Sequence, residues 1–250
     1  MGGTFDMEDW KTRFNKVIEL VESFIGKQDP VENQESGQKL PEPLALFYRY
    51  FGDRINDIVT YNNFIPSGDL NYTNEHVIFY VHEGETCSWA TYRERNDFRV
   101  IKIDEDQHVI QEKNDLTDFL FQICIYELCL RLTYNMMFFG KPDAVKEIAD
   151  SWNEYPFARR RNRDQFPNEF YYKNGTIGFV WYGDEGCTFY CGGKTNDKLG
   201  FMKSYTESKG LKDDKVHTDL NQRLENGYWD FYINGEPCQE KEFWIPGVIE

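Results

Sequence analysis

The side chains best suited to chemistry in this sequence lie close together near position 85. They are His82, Glu83, Glu85 and Cys87. A zinc-protease helix needs a second histidine one helical turn after the first, and the residue at that position is Thr86. A zinc deaminase combines His-x-Glu with Pro-Cys-x-x-Cys, but no second cysteine follows Pro237-Cys238 at that spacing. The sequence therefore predicts no metal centre at this corner.

No other catalytic motif takes its place. Phosphate-binding loops need glycines that lead into Lys-Ser, Lys-Thr or a helix, whereas the glycines between Gly183 and Gly193 flank a strand-like run. The acidic run Asp104-Glu105-Asp106 lacks the glycine and the terminal glutamate of a calcium loop. We predict no catalytic residues, no cofactor and no metal ligands. An enzyme with a site assembled from dispersed residues stays as an alternative.

The charge of the chain is strongly negative, at −15 from 28 basic and 43 acidic residues. Residues 61–120 have the largest excess, with 5 basic and 12 acidic side chains. This sign argues against nucleic acid as a ligand and favours association with a basic protein. The predicted contacts with such a partner are Glu83, Glu85, Asp104, Glu105 and Asp106. A solvated turn is the alternative interpretation of the two glutamates.

One basic run stands out in this acidic chain, at Ala158 to Arg163. Its charged members are Arg159, Arg160, Arg161 and Arg163. An exposed loop balanced by nearby acids is one interpretation. The alternatives are docking to an acidic partner, or self-association through the acidic 61–120 surface.

The sequence favours a cytoplasmic protein that does not enter a membrane. Residues 1–9 do not resemble a signal peptide, since they are short and acidic. Residues 119–139 are strongly apolar, but Glu127 and Arg131 lie among them, and such charges are costly in lipid. We therefore predict a buried helix there. The 6 cysteines have no close paired spacing and are predicted to be reduced thiols.

The periodicity predicts an α+β fold, with a mixed, mainly antiparallel twisted sheet flanked by helices. Apolar residues at helical spacing predict an N-terminal helix over 5–26. Further helices are predicted near 43–52, 118–134 and 142–152. Strand patterns occur at 76–81, 87–93, 98–103, 108–111, 169–173, 176–182, 187–191, 228–233 and 241–245. Asn174-Gly175 and Asn234-Gly235 predict tight hairpin turns. We predict a single domain over 1–250, with a core at about 40–195 and a C-terminal hairpin extension at 196–250.

One hairpin pattern recurs after 100 residues. Phe79, Glu85, Cys87 and Trp89 align with Phe179, Glu185, Cys187 and Phe189. The recurrence indicates either a duplicated hairpin or a chance likeness between two aromatic hairpins with acidic turns.

The order of these motifs resembles the SUKH superfamily, which includes the fungal Smi/Knr cell-wall regulator and many bacterial toxin-immunity proteins. The family's Leu-Pro helix ending in an aromatic residue and glycine is matched by Leu40, Pro41, Leu44, Phe47, Tyr48, Phe51 and Gly52. Its strand ending in tryptophan is matched by Cys87-Ser88-Trp89-Ala90, and its later helix start by Thr117, Phe119 and Leu120. The chain departs from the pattern where His82-Glu83-Gly84-Glu85 replaces the usual Glu-Asn-Gln-Gly corner, and where Asn96-Asp97-Phe98 replaces a Pro-Pro pair.

The resemblance implies a non-enzymatic domain that binds and neutralises a toxin of the nuclease or deaminase class. The acidic surface fits a basic partner of that kind. The main alternative is a regulatory scaffold of the Smi/Knr type that binds other cellular proteins. The core positions of the motif, above all Trp89, are expected to be structural.

Overall fold

A computed structural model describes residues 9–27, 29–30, 40–60, 62–82, 84, 86–93, 96–155, 169–183, 186–203 and 227–244. The chain divides into two compact units, Met1–Leu128 and Cys129–Glu250. Each unit is built on one antiparallel sheet accompanied by helices, so the fold class is α+β, as predicted. The domain boundaries predicted from the sequence stay a prediction, because compactness alone does not show whether the units fold independently.

Among the described residues, the first unit contains a six-stranded sheet, two helices and all but the last three residues of a third. The helices are α1 (Asp9–Ile25), α2 (Glu42–Phe51) and α3 (Leu116–Arg131), with a 3₁₀ segment at Gly52–Asp57. The strands are β1 (Asn63–Phe64), β2 (Asn71–Tyr72), β3 (His76–Val81), β4 (Cys87–Tyr92), β5 (Arg99–Asp104) and β6 (Val109–Asp115). Their order is β1-β3-β4-β5-β6, and β2 also pairs with β3.

The helix ends of the first unit follow from local chemistry. Gly26 ends α1 with a φ of +90°, a conformation that glycine adopts without steric cost. Proline stands in the first turn of α2, where a missing N–H costs nothing. Asp115 caps α3, because its Oδ1 accepts a hydrogen bond from the Asp118 N–H at 3.0 Å.

A bulge in β3 places two large aromatic side chains in the core. The register with β4 shifts between Ile78 and Tyr80, so that Phe79 and Tyr80 are both fully buried. The Phe79 ring lies 6.0 Å from Phe119 of α3, and the Tyr80 ring lies 5.4 Å from Trp89. Trp89 is therefore a core residue, as expected.

The second unit is a seven-stranded antiparallel sheet. Its strands are β7 (Tyr134–Gly140), β8 (Asn153–Glu154), β9 (Glu169–Lys173), β10 (Thr176–Tyr182), β11 (Cys187–Gly193), β12 (Tyr228–Ile233) and β13 (Glu236–Cys238). They are arranged in the order β13-β12-β7-β11-β10-β9-β8. Its helices are α4 (Pro142–Ala149) and α5 (Glu240–Phe243), with a 3₁₀ segment at Asn196–Leu199. The core includes Met136, Phe138, Val145, Ile148, Phe189 and Trp229.

Both Asn-Gly turns have the predicted conformation. Asn174 and Gly175 have φ angles of +51° and +77°, and Asn234 and Gly235 have φ angles of +53° and +81°. Positive φ at both central residues is the requirement of a two-residue hairpin turn of this type. They connect β9 to β10 and β12 to β13.

Three sequence predictions in this unit or at its start are wrong. The helix predicted over 142–152 ends at Ala149. The strand predicted at 241–245 is the short helix α5 over the residues that are described. The helix predicted to reach residue 134 ends at Arg131, and β7 follows from Tyr134. The apolar run continues from the helix into β7 without a polar break, and periodicity cannot separate a buried helix from a buried strand in such a run.

Candidate functional site

The turn between β5 and β6 is a closed three-residue loop. The Asp104 N–H donates a hydrogen bond to the His108 carbonyl at 3.2 Å, and the Gln107 N–H donates to the Asp104 carbonyl at 3.0 Å. Gln107 has a φ of +65°, which is the left-handed position of a three-residue hairpin with a bulge. This geometry fixes the direction in which the two residues at the tip project.

The carboxyl group of Asp104 is part of the turn. Its Oδ1 accepts a hydrogen bond from the His108 N–H at 2.8 Å, and its Oδ2 lies 3.2 Å from His108 Nδ1. Partial burial acts to raise the pKa of Asp104, but the hydrogen bonds from His108 outweigh it and lower that pKa below its usual value. Asp104 therefore supplies a fixed negative charge at neutral pH.

Glu105 and Asp106 are exposed at the tip of this turn. Together with Asp104 they form the acidic tip, three consecutive carboxylates of which the first is held by hydrogen bonds. The other two predicted contacts, Glu83 and Glu85, lie outside the described residues. The structure does describe the neighbouring strand ends, where Cys87 at the start of β4 pairs with Asp104 at the end of β5. The end of the β3–β4 hairpin and the acidic tip thus share one end of the first sheet.

The first residues of β6 are exposed and apolar, a feature that sequence reasoning missed. Val109 is 56% exposed and Ile110 is 38% exposed. Because β6 is the last strand in the order of the sheet, its outer edge has no strand partner among the described residues. The available signal was Val-Ile two residues after the acidic run. The exposure of these two side chains depends on the strand order, which the sequence does not give.

A buried carboxyl group lies in the core of the first unit, at Glu127 of α3. Its side chain is fully buried. Oε1 accepts hydrogen bonds from Asn62 Nδ2 at 2.8 Å and from Tyr80 Oη at 2.5 Å, and Oε2 accepts one from the Thr60 N–H at 2.7 Å. Burial, followed by the nearby Glu127 charge, raises the pKa of Tyr80 well above its usual value, so the phenol remains a donor. The site joins α3 to β3 and to the segment before β1. Because the buried carboxyl group accepts hydrogen bonds from all of these elements, we assign it a structural role.

A second buried acid supports the tryptophan of the resemblance motif. Trp89 Nε1 donates a hydrogen bond to Glu112 Oε1 at 3.0 Å. At the opposite end of β6, Arg13 of α1 binds Asp115 at 2.7 Å and Asp118 at 2.5 Å. These acids have partners within the first unit and are not available to a ligand, which separates them from the acidic tip.

The cysteines are packing residues. Cys187 and Cys191 lie on one face of β11, and both are buried in the core of the second unit. Burial raises the pKa of Cys124, Cys129 and Cys191. At Cys87, burial also raises the thiol pKa, and the nearby Lys102 does not reverse this. No disulfide joins any of the six.

Among the residues that the structure describes, no three His, Cys, Asp or Glu side chains are grouped so as to hold a metal ion. No helix in the described part of the chain is long and apolar enough to cross a membrane. The basic run of Arg159, Arg160, Arg161 and Arg163 lies outside the described residues.

Comparison of this chain with protein-family models, with curated proteins and with solved structures gave no significant match.

Proposed function

We propose that this chain is a non-catalytic, cytoplasmic binding protein that neutralises a basic toxin domain of the nuclease or deaminase class. The observation that supports it most directly is the acidic tip, where Glu105 and Asp106 project from a hydrogen-bonded turn beside the fixed charge of Asp104. The resemblance of the Leu-Pro helix and of the Trp89 strand to the SUKH superfamily supports the same class of function.

The chemistry of such an inhibitor requires no reacting group. A protein that blocks a nucleic-acid-handling enzyme must cover a basic groove, and complementary charge increases the rate of association with it. Three consecutive carboxylates on this turn, the first held in place by His108, can bind lysine or arginine side chains. The buried acids at Glu112 and Glu127 have a different role, since they stabilise the unit that presents the turn.

The function is tested in two steps. A tagged copy of the chain is used to capture partners from the source cell, and each recovered toxin candidate is then expressed with and without the chain. Restoration of growth by co-expression supports the proposal. Recovery of partners that are neither toxic nor inhibited would favour a regulatory scaffold of the Smi/Knr type instead.

The acidic tip is tested by charge reversal with a matched control. Glu105→Lys together with Asp106→Lys should slow association about tenfold at low salt and reduce its salt dependence. Asp69→Lys together with Glu75→Lys makes the same change of charge at two exposed acids away from the tip, and should have a much smaller effect. Equal effects of the two changes would show that net charge, rather than this surface, attracts the partner.

A specific observation favours a second, scaffold-like contact surface. Trp181 and Tyr172 of the second sheet are each 41% exposed. They lie on the same face of the neighbouring strands β10 and β9 but are separated along the sheet, because Tyr172 pairs with Ile177, four residues before Trp181. Large half-exposed aromatic side chains are typical anchors in protein interfaces. Trp181→Ala would abolish partner binding if the scaffold role were the main one.

A further inference from the structure

We propose that the basic partner adds an extended segment of its own chain as a strand along the outer edge of β6, at Val109 to Gln111. The inference rests on the proposed function, because it specifies how the partner binds beside the acidic tip. It assigns recognition to two parts of one surface: main-chain pairing with β6, and charge pairing with Glu105 and Asp106.

The first observation is the length of this edge strand. The other strands at the ends of the two described sheets are short, with two residues in β1, two in β8 and three in β13. Short edge strands protect a protein from unwanted pairing. β6 has seven residues and ends the first sheet. It is therefore the longest of the described end strands, and its open part, Val109 to Gln111, lies next to the acidic tip.

The second observation is the direction of the backbone groups. The hydrogen bond from the Asp104 N–H to the His108 carbonyl makes these two residues a hydrogen-bonded pair. Pairs alternate along an antiparallel ladder, so the next pair, Ile103 with Val109, is non-hydrogen-bonded. The N–H and C=O of Val109 consequently point away from β5, and those of Gln111 do so for the same reason. An added strand would meet donors and acceptors at both residues.

The third observation is the exposure of apolar side chains on both faces of this edge. Val109 and Ile110 are consecutive in the strand, so their side chains project to opposite faces of the sheet. They are 56% and 38% exposed. A strand laid beside them would cover apolar surface on each face, as in other complexes formed by strand addition.

The open edge is limited to the first half of β6. Pairing with β5 shifts in register between Arg99 and Ile101, and beyond that point Glu112 and Asp115 are buried. Such an irregularity ends regular pairing. The segment that a partner can pair with is therefore short and lies directly next to the acidic tip.

Charge decides between a second copy of this chain and a basic partner. A second copy would bring the same net charge of −15 and the same acidic tip to this edge. Two chains with so large a charge of one sign repel each other. A segment that alternates lysine or arginine with aliphatic residues has the opposite charge and matches the exposed Val109 and Ile110.

The probe for the experiment is a short synthetic peptide of alternating lysine and valine residues, blocked at both ends. Its binding to the full chain is followed by amide chemical shifts and by fluorescence anisotropy. The expected result is shifts at residues 108–111 that saturate with peptide. A matched peptide, N-methylated at two successive central residues so that neither edge can pair, should bind at least about tenfold more weakly.

Two variants separate backbone pairing from side-chain contact. Val109→Pro removes an outward N–H without removing a bond to β5, and should weaken binding about tenfold. Val109→Thr keeps the backbone group and should weaken binding only a few-fold. If Val109→Pro does not fold, the methylated peptide on the unchanged chain still decides the question.

Several results would overturn the inference. They are equal binding of the methylated and unmethylated peptides, shifts confined to other surfaces, no binding at all, or β6 shifts that depend on protein concentration without peptide. If the Glu105→Lys and Asp106→Lys pair abolishes binding of a recovered toxin while Val109→Pro does not, the proposed function stands and strand addition fails. If neither change affects binding of the recovered toxin, the assignment of the acidic tip as the contact surface is wrong.

Discussion

Replacing Glu127 by alanine should cause the largest loss of stability of any single change discussed for the first unit. The carboxyl group is fully buried. It accepts hydrogen bonds from Asn62, Tyr80 and the Thr60 N–H, at 2.5 to 2.8 Å. Glu127→Ala removes both acceptor oxygens, and with them all three hydrogen bonds, and leaves a cavity in the core.

The size of the stability loss depends on which of the three donors can bind water once the carboxyl group is removed. Thr60 is exposed, so its N–H can bind solvent instead. Asn62 and Tyr80 are buried and cannot. Each buried donor left unsatisfied costs about 1–3 kcal/mol, and the cavity adds to that cost. We expect Glu127→Ala to lower the free energy of unfolding by about 4 kcal/mol, near the upper end for single substitutions.

Glu127→Gln is a sharper test because it preserves the volume. The remaining oxygen of the amide can face Asn62 and Tyr80, which share Oε1 in the native protein. The amide nitrogen must then face the Thr60 N–H, so one donor opposes another. The cost should be about 1–3 kcal/mol, less than that of Glu127→Ala.

Urea unfolding of each variant gives these free energies, and hydrogen exchange of peptides from 76–92 shows which unit is affected. Tyr80→Phe removes one donor and should cost about 1 kcal/mol alone. Combined with Glu127→Ala it should cost less than the sum, by about 1–3 kcal/mol, because the orphaned phenol is gone. Strict additivity, or a loss below 1 kcal/mol for Glu127→Ala, would refute the assignment of this site as a shared acceptor.

Three further outcomes follow from other contacts. The pKa of Asp97 is lowered, chiefly by its hydrogen bond with Arg99, so its contribution is present above the unfolded pKa of about 3.9 and lost below it. Asp97→Asn should therefore lower the melting temperature at pH 7 and not in strong acid. In native protein, a thiol reagent should modify Cys238 first, because the other cysteines are buried, and mass spectrometry of the labelled peptides checks this. Gly192→Ala should destabilise by about 1–3 kcal/mol, measured by urea unfolding, since its Cβ would lie 2.6 Å from a backbone oxygen, whereas at Gly68 it would meet nothing within 4 Å.

The features predicted correctly from the sequence are those fixed by neighbours in the chain. The hairpin of β3 and β4 lies within one residue of its predicted limits. The two Asn-Gly turns adopt positive φ, because few other residue pairs tolerate it at both positions.

The features missed depend on contacts between distant residues. Glu127 was visible as a charge in an apolar helix, but its partners Asn62 and Tyr80 are 65 and 47 residues away. β7 lies between β11 and β12 in the sheet, and its burial on both sides removed the alternation that marks a strand. The open edge of β6 is a property of strand order, which no local pattern specifies.

The recurrence after 100 residues is a likeness of hairpins, not of whole units. Tyr80 pairs with Trp89, and Val180 pairs with Phe189, so the two hairpins have the same register. Their surroundings differ, because β4 pairs next with β5, which follows it, whereas β11 pairs next with β7, which precedes it. A duplicated unit would keep the order of its neighbouring strands. The recurrence is thus limited to the two hairpins, and its two interpretations, a duplicated hairpin and a chance likeness, stay predictions.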